Sequence, residues 1–165
     1  MTLAAITGYD ISLFLHITAV VVGLGATFAE SIAFPVAMKL DKRHLPYVHA
    51  LQLAINRWLA TPALAVILAT GIYQTADGNW SFGAFWISAT FVILIALGGL
   101  LGAYLIPTDR RLGRMVRREI AAAGPDEVTL SEDYQRGART EGLVGAVAGA
   151  LVVVAVFLMV VKPGA

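Results

Sequence analysis

Residues 142–161 form the stretch GLVGAVAGALVVVAVFLMVV, twenty positions without Asp, Glu, Lys or Arg. Three further stretches, each at least 19 residues long, share this property: Ile11–Ala29, Trp58–Ala76 and Gly78–Thr108. A helix of about 20 apolar residues crosses a hydrocarbon core ~30 Å thick, and it satisfies its own backbone groups where water is absent. The sequence therefore predicts an all-α protein, an antiparallel bundle of four transmembrane helices.

We expect a single membrane domain over residues 1–165, with spans at about 9–34, 49–75, 81–106 and 142–161. Pro35 follows the first span, and Pro62 is expected to kink the second. Residues 108–141 form the long loop, and helix 4 is expected to begin at Gly142. The segment Asp109–Ala123 is a basic amphipathic extension of helix 3, which either lies along an anionic membrane surface or is a solvated helix end.

The charges of the loops predict the orientation of the bundle. Eleven of the twelve Lys and Arg residues belong to the two connections around residues 39–57 and 108–141, or to the adjoining helix ends, and only Lys162 lies on the other side. Cytoplasmic loops carry such an excess of Lys and Arg. We therefore expect a multi-pass protein of the bacterial plasma (inner) membrane with both termini outside and the 108–141 loop in the cytoplasm.

Composition limits the partners and the chemistry. The net charge is only +1, so nothing in it indicates nucleic acid as a partner. The chain contains no Cys, which excludes disulfides and thiolate ligands. The expected partners are the lipid bilayer and either further copies of the chain in a homo-oligomer or a larger membrane complex.

Small residues predict the surfaces at which the helices pack. In helix 1 they recur every four positions, a spacing that lets a second backbone approach closely. Helices 3 and 4 each contain a Gly-x-x-x-Gly motif with the same property. The predicted packing residues are Ala19, Gly23, Thr27, Gly98, Gly102, Gly145 and Gly149.

Polar residues mark the inward faces of helices 1 and 2. A polar stripe of Gln52, Asn56, Thr70 and Gln74 falls within about 60° on helix 2. Glu30 and Arg57 come to similar depth on antiparallel neighbours, where we expect an intramembrane ion pair. Either this pair pins helix 1 to helix 2, or Glu30 is the carboxylate of a proton-coupled transporter.

His16 is the candidate ligand for a cofactor or metal ion. It lies about seven residues into helix 1, and a neutral imidazole at membrane depth can bind haem iron, copper or zinc, or relay protons. The alternative is a packing histidine that bonds to a hydroxyl or carbonyl group across the bundle. Met159 is at the right depth to be a second haem ligand, and haem b is the cofactor such a pair would hold.

Several motifs, in order, resemble a family of bacterial integral membrane proteins catalogued as a domain of unknown function. They are Leu15-His16 followed by Gly23 and Gly25, then Thr70-Gly71-Ile72-Tyr73, Trp86, Ile106-Pro107, Arg110-Arg111-Leu112 and the closing Met159-Val-Val-Lys162-Pro163. The resemblance covers nearly the whole chain and implies four spans without an established activity. More distantly, the chain is similar to copper-resistance D proteins and to a haem-containing protoporphyrinogen oxidase. In the oxidase, a histidine of the first helix is a haem ligand, and His16 is at the matching position.

Three functions follow from these features as hypotheses. The first is a non-enzymatic structural or accessory subunit of a membrane complex. The second is a redox protein that binds haem or a metal ion through His16 near the outer leaflet. The third is a proton-coupled transporter of small molecules that uses Glu30.

Overall fold

The computed structural model describes residues 5–164, and within that part of the chain it contains helices and no strands. Four long helices follow one another: α1 (Gly8–Lys39), α2 (Lys42–Asp77), α3 (Phe85–Ala123) and α4 (Glu132–Val161). Each is long and apolar enough to cross a membrane. The expected all-α architecture of four candidate spans is thereby confirmed.

The helices form an antiparallel bundle in which α1 packs on α2 and α4, and α3 packs on α2 and α4. Large apolar side chains remain exposed along the apolar runs, among them Phe14 at 67%, Ile95 at 70% and Val160 at 76%. A water-soluble bundle would bury such residues, whereas a membrane-spanning bundle presents them to lipid.

Two helices are longer than the apolar runs that predicted them. Helix α1 continues through Pro35 to Lys39, and α4 begins at Glu132, ten residues before the expected start at Gly142. The Ser131 side chain caps α4 by accepting a hydrogen bond from the Tyr134 amide. The charged end of α4 forms a helix because capping and water satisfy its first backbone groups. A hydropathy pattern does not detect capping, so it places the start of this helix too late.

Prolines inside α2 and α3 each follow a π-helical turn. Asn56–Ala60 precedes Pro62, and Leu100–Leu105 precedes Pro107. A proline has no amide hydrogen and crowds the carbonyl four residues earlier, so a widened turn accommodates it without ending the helix. The kink expected at Pro62 therefore corresponds to a π turn in α2.

The largest buried core lies where α1 joins α2 and α3 joins α4, an end we call the basic end after the arginines at residues 110–118. The extension of α3 contributes Leu112 and Val116, both fully buried, to a cluster with Ala37, Leu45, Val48, Val128, Leu130, Tyr134 and Ala138. The apolar face of the Asp109–Ala123 segment is thus covered by the protein itself, and its arginines are exposed.

The opposite end of the bundle is held by aromatic residues. The Lys162 Nζ lies 4.9 Å from the Trp80 ring centroid and 5.3 Å from that of Trp86. Trp86 and Ile87 at the start of α3 pack against Leu158 near the end of α4, with Met159 beside them. These contacts join α3 to α4 at the end of the bundle remote from the arginines.

Candidate functional site

Three ionisable side chains from three different helices meet at the basic end of the bundle. They are His49 of α2, Asp109 of α3 and Glu141 of α4, with exposed fractions of 2%, 2% and 7%. One potential ligand atom of each lies within 4.8 Å of those of the other two. Burying ionisable groups together is costly unless they bind one another or a further ion, so this cluster is the candidate functional site.

The imidazole of His49 is held by two aromatic neighbours and by a hydrogen bond at one nitrogen. Its Nε2 lies 2.8 Å from the Tyr134 hydroxyl, and its ring centroid is 5.8 Å from the Tyr134 ring and 5.9 Å from that of Phe34. Gly113 lets α3 approach closely, because a Cβ there would lie 3.3 Å from the His49 Cβ. The ring is thereby held with its Nδ1 directed toward Asp109.

The two oxygens of the Asp109 carboxylate have different neighbours. The Asn56 side-chain amide donates a hydrogen bond of 3.0 Å to Oδ2, and Oδ1 lies 3.9 Å from the His49 Nδ1. Asn56 is the first residue of the π turn in α2, so the widened turn supplies the donor that orients Asp109. One oxygen of Asp109 is held, and the other faces the centre of the cluster.

Several buried polar atoms at this end have no hydrogen-bond partner among residues 5–164. They are Glu30 Oε1, His49 Nδ1, Gln52 Oε1 and Glu141 Oε1. Glu30 and Glu141 both lie near enough to Asp109 for their charges to interact. Unsatisfied buried atoms are uncommon in proteins and call for a specific explanation.

The predicted partners Glu30 and Arg57 form no ion pair in the described part of the chain. The Arg57 guanidinium is exposed and lies 5.5 Å from the ring centroid of its neighbour Trp58. Glu30 is half-buried beside the acidic residues of the cluster instead. The charged groups around Glu30 are therefore acidic, and Glu30 belongs with the candidate site.

The predicted polar stripe faces the interior of the bundle. Gln74 bonds to Ser12 of α1 at 3.3 Å, and Thr70 bonds to His16 at 2.8 Å. Asn56 bonds to Asp109 at the candidate site, and the Gln52 Oε1 is buried one turn earlier on the same helix. The stripe thus supplies partners at both ends of the bundle.

His16 lies far from the candidate site, because 14 residues of helix α1 separate it from Glu30, about 21 Å at 1.5 Å per residue. Its Nδ1 contacts the Thr70 hydroxyl, which also lies 2.6 Å from the Val66 carbonyl. The ring also lies close to Gly71, where a Cβ would be 3.7 Å from the His16 Cε1. Met159, the predicted second ligand, packs beside the Trp86 cluster.

The small residues differ in what they contact. Ala19 is buried, a Cβ at Gly23 would lie 3.1 Å from the Ala63 Cβ, and the Thr27 hydroxyl bonds to the Gly23 carbonyl. A Cβ at Gly98 would lie 3.4 Å from Leu64 Cδ2. At three predicted positions, by contrast, a Cβ would meet no atom within 4 Å: Gly102, Gly145 and Gly149. The structure does not place these three at a helix contact.

The sequence patterns did not single out His49, Asp109, Glu141 or Tyr134 as site residues. A usable signal was present. Asp109 directly follows the Gly78–Thr108 run and Glu141 directly precedes Gly142–Val161, so both border apolar runs on the same side of the bundle. His49 and Asn56, seven residues apart, share a helix face at that side.

A family model described as "Predicted integral membrane protein (DUF2269)" matches residues 11–163. No curated protein and no solved structure matches the chain.

Proposed function

We propose that this chain, which belongs to the DUF2269 family of predicted integral membrane proteins, is a non-enzymatic membrane protein that takes up a cation. The cation is held at one end of the four-helix bundle, by the cluster of His49, Asp109 and Glu141 with Glu30 beside it. A proton or a metal ion satisfies this description equally. The family description states no activity, so the proposal rests on the chemistry of the chain's own residues.

The observation that carries the proposal is the set of buried polar atoms without partners. Glu30 and Glu141 each have an Oε1 that is buried and unbonded among residues 5–164. An unsatisfied buried polar atom costs about 1–3 kcal/mol, and more if it is charged. Proteins retain such costs chiefly where function requires them.

The charge distribution supports a location and an orientation for this function. We propose an accessory subunit of the bacterial inner membrane, with the basic end in the cytoplasm and both termini outside. The candidate site then lies near the cytoplasmic face of the membrane, where four helix ends converge. Partners in a homo-oligomer or a larger complex belong to the same proposal.

The proposal predicts that neutral substitutions at the site stabilise the protein. Glu30→Gln and Glu141→Gln keep the side-chain shape and remove a buried acidic group that has an unsatisfied oxygen. We expect each to raise the Tm of the chelator-stripped, metal-free protein in mild detergent by about 2–4 °C, the shift that about 1 kcal/mol gives in a chain of this size. Differential scanning fluorimetry measures this.

Glu132→Gln is the matched control, because its side chain is 92% exposed and its substitution removes no buried charge. Its Tm should stay within about 1 °C of that of the parent, because its exposed ion pair with Arg136 contributes little. If both buried variants melted well below this control, the carboxylates would be structural and the proposal would be wrong.

A second candidate function is favoured by the hydrogen bonds of His16. The Thr70 hydroxyl donates to the Val66 carbonyl, so it accepts from the His16 Nδ1–H and leaves Nε2 with its lone pair. That is the form in which histidine binds haem iron or a metal ion. We therefore retain a redox protein with His16, and Met159 as second ligand, as the alternative.

This alternative predicts a visible spectrum. Protein purified in mild detergent from cells supplied with haem precursor should show a Soret band that His16→Ala removes. Met159→Leu should shift or weaken the band if Met159 is the second ligand. A colourless parent protein that contains no haem by pyridine haemochrome assay would reject the haem assignment.

A further inference from the structure

We infer that His49, Asp109 and Glu141 form a binding site for a divalent transition-metal ion. The inference rests on the proposed function and deepens it by naming the class of cation. The ligand atoms are the His49 Nδ1, the Asp109 Oδ1 and a carboxylate oxygen of Glu141. Glu30 lies beside them as a further carboxylate.

The distances between the ligand atoms are close to those of a metal site. His49 Nδ1 and Asp109 Oδ1 are 3.9 Å apart, and all three residues offer atoms within 4.8 Å of one another. Two ligands of a tetrahedral zinc ion with bonds of about 2.1 Å are roughly 3.4 Å apart. Small side-chain rotations therefore bring the three atoms onto one ion without movement of the helices.

His49 and Asp109 each have one polar side-chain atom bonded to a neighbouring residue, and their other polar atom faces the cluster. The His49 Nε2 bonds to the Tyr134 hydroxyl, and the Asp109 Oδ2 accepts from Asn56. When Nε2 donates its hydrogen to Tyr134, Nδ1 carries the lone pair that a metal ion needs. Metal-binding histidines and carboxylates are regularly oriented by such outer hydrogen bonds.

Two ligand atoms point inward without a protein partner. His49 Nδ1 and Glu141 Oε1 are buried, and Asp109, which lies near both, offers them carboxylate oxygens and no hydrogen. The His49 side chain is only 1% exposed. An acidic cluster alone would be satisfied by protons. An inward imidazole lone pair beside two carboxylates is a donor set that a metal ion completes.

The charge of the cluster also favours a divalent ion. It contains the carboxylates of Glu30, Asp109 and Glu141, and Arg111 lies near enough to Glu141 for their charges to interact. A divalent ion balances the two ligand carboxylates, which offsets much of the cost of burying them. One imidazole with two carboxylates suits Zn²⁺, Fe²⁺ or Mn²⁺ better than Ca²⁺ or Mg²⁺, which take oxygen ligands.

The test is a Zn²⁺ titration of the full chain, purified in mild detergent and stripped with a chelator. We expect one Zn²⁺ per chain by metal analysis after gel filtration, and a Tm that rises with Zn²⁺ concentration because the ion binds the folded state. Asp109→Asn and Glu141→Gln keep the shape of the side chains and should lower the affinity at least tenfold. Tyr134→Phe should lower it about tenfold by freeing the His49 ring.

His44→Ala is the matched control, since His44 is an exposed histidine at the start of the same helix. It should bind Zn²⁺ like the parent. Stoichiometric binding that His44→Ala abolishes, or that folded Asp109→Asn and Glu141→Gln leave unchanged, would overturn the inference, as would absence of Zn²⁺ binding by the parent.

Failure of this inference is distinguishable from failure of the proposed function. If Glu141→Gln raises the Tm of the metal-free protein but the parent binds no Zn²⁺, the metal site is wrong and a proton is the cation taken up. If Glu30→Gln and Glu141→Gln both lower the metal-free Tm, the proposed function fails, whatever the Zn²⁺ titration gives.

Discussion

At the scale of single residues, identical amino acids in similar motifs have different surroundings. Gly23 and Gly145 both lie in stretches of small residues inside apolar helices. A Cβ at Gly23 would lie 3.1 Å from the Ala63 Cβ, tighter than ordinary van der Waals contact, whereas a Cβ at Gly145 would meet nothing within 4 Å. The sequence motif indicates that close approach is allowed, and only the neighbouring helix determines whether it occurs.

This difference predicts opposite outcomes for one substitution at two sites. Gly23→Leu should force α1 away from α2 and lower the free energy of unfolding by about 1–3 kcal/mol, the usual cost of overpacking. Gly145→Leu should leave stability unchanged or raise it slightly, because leucine favours the helix more than glycine does. Thermal melting of both variants in the same detergent measures the contrast.

Equal melting temperatures for Gly23→Leu and the parent would contradict the contact between Gly23 and Ala63. A marked loss of stability in Gly145→Leu would show instead that α4 packs against a partner at this glycine. Gly23→Ala is a milder probe for use if the leucine variant does not fold, since only the 3.1 Å contact must then relax.

At the scale of helices, the functional residues lie where the helices pass the limits of their apolar runs. Asp109 belongs to the extension of α3, and Glu141 lies in the part of α4 that precedes Gly142. Because helix formation depends on caps and backbone hydrogen bonds as well as hydropathy, these polar ends remain helical. Regular helices then hold Asp109 and Glu141 in fixed positions, which a flexible loop over 108–141 would not do.

The π turn in α2 is a second feature of this scale. It begins at Asn56, whose amide orients Asp109, and it is followed by Pro62. A proline was expected to kink the helix, and the sequence offers no way to tell a kink from a π turn. The choice affects the site, because widening the turn changes the direction of Asn56 relative to His49.

At the scale of the whole molecule, the bundle has two unlike ends. The basic end contains the larger buried core and the candidate site, while the opposite end is a short turn closed by Trp80, Trp86 and Lys162. The excess of Lys and Arg at the basic end predicts that this end faces the cytoplasm. Access of a cation to the site would then be from inside the cell.

The orientation can be measured directly, because the natural chain contains no Cys. Glu127→Cys places a thiol in the connection at the basic end, and Ser81→Cys places one in the turn at the opposite end; both positions are exposed. In intact cells, a membrane-impermeant maleimide should label Ser81→Cys and leave Glu127→Cys unlabelled until the membrane is permeabilised. The reverse pattern would invert the proposed orientation.

The sequence by itself determined the number, the type and the approximate positions of the helices. The apolar runs Ile11–Ala29 and Gly142–Val161 suffice for this, because the requirement for a membrane-spanning helix is local and adds up residue by residue. The inward polar face of α2 also followed from helical periodicity alone. Helix ends were less accurate, since α4 begins at Glu132 rather than Gly142.

Only the tertiary structure decided which polar residues meet. Glu30 was expected beside Arg57, yet it lies near Asp109 and Glu141. His49, Asp109 and Glu141 are far apart in the chain, and their contact depends on the rotation and the relative depth of three helices. Those quantities follow from packing between side chains on different helices, such as Gly113 against His49, and no local pattern contains them.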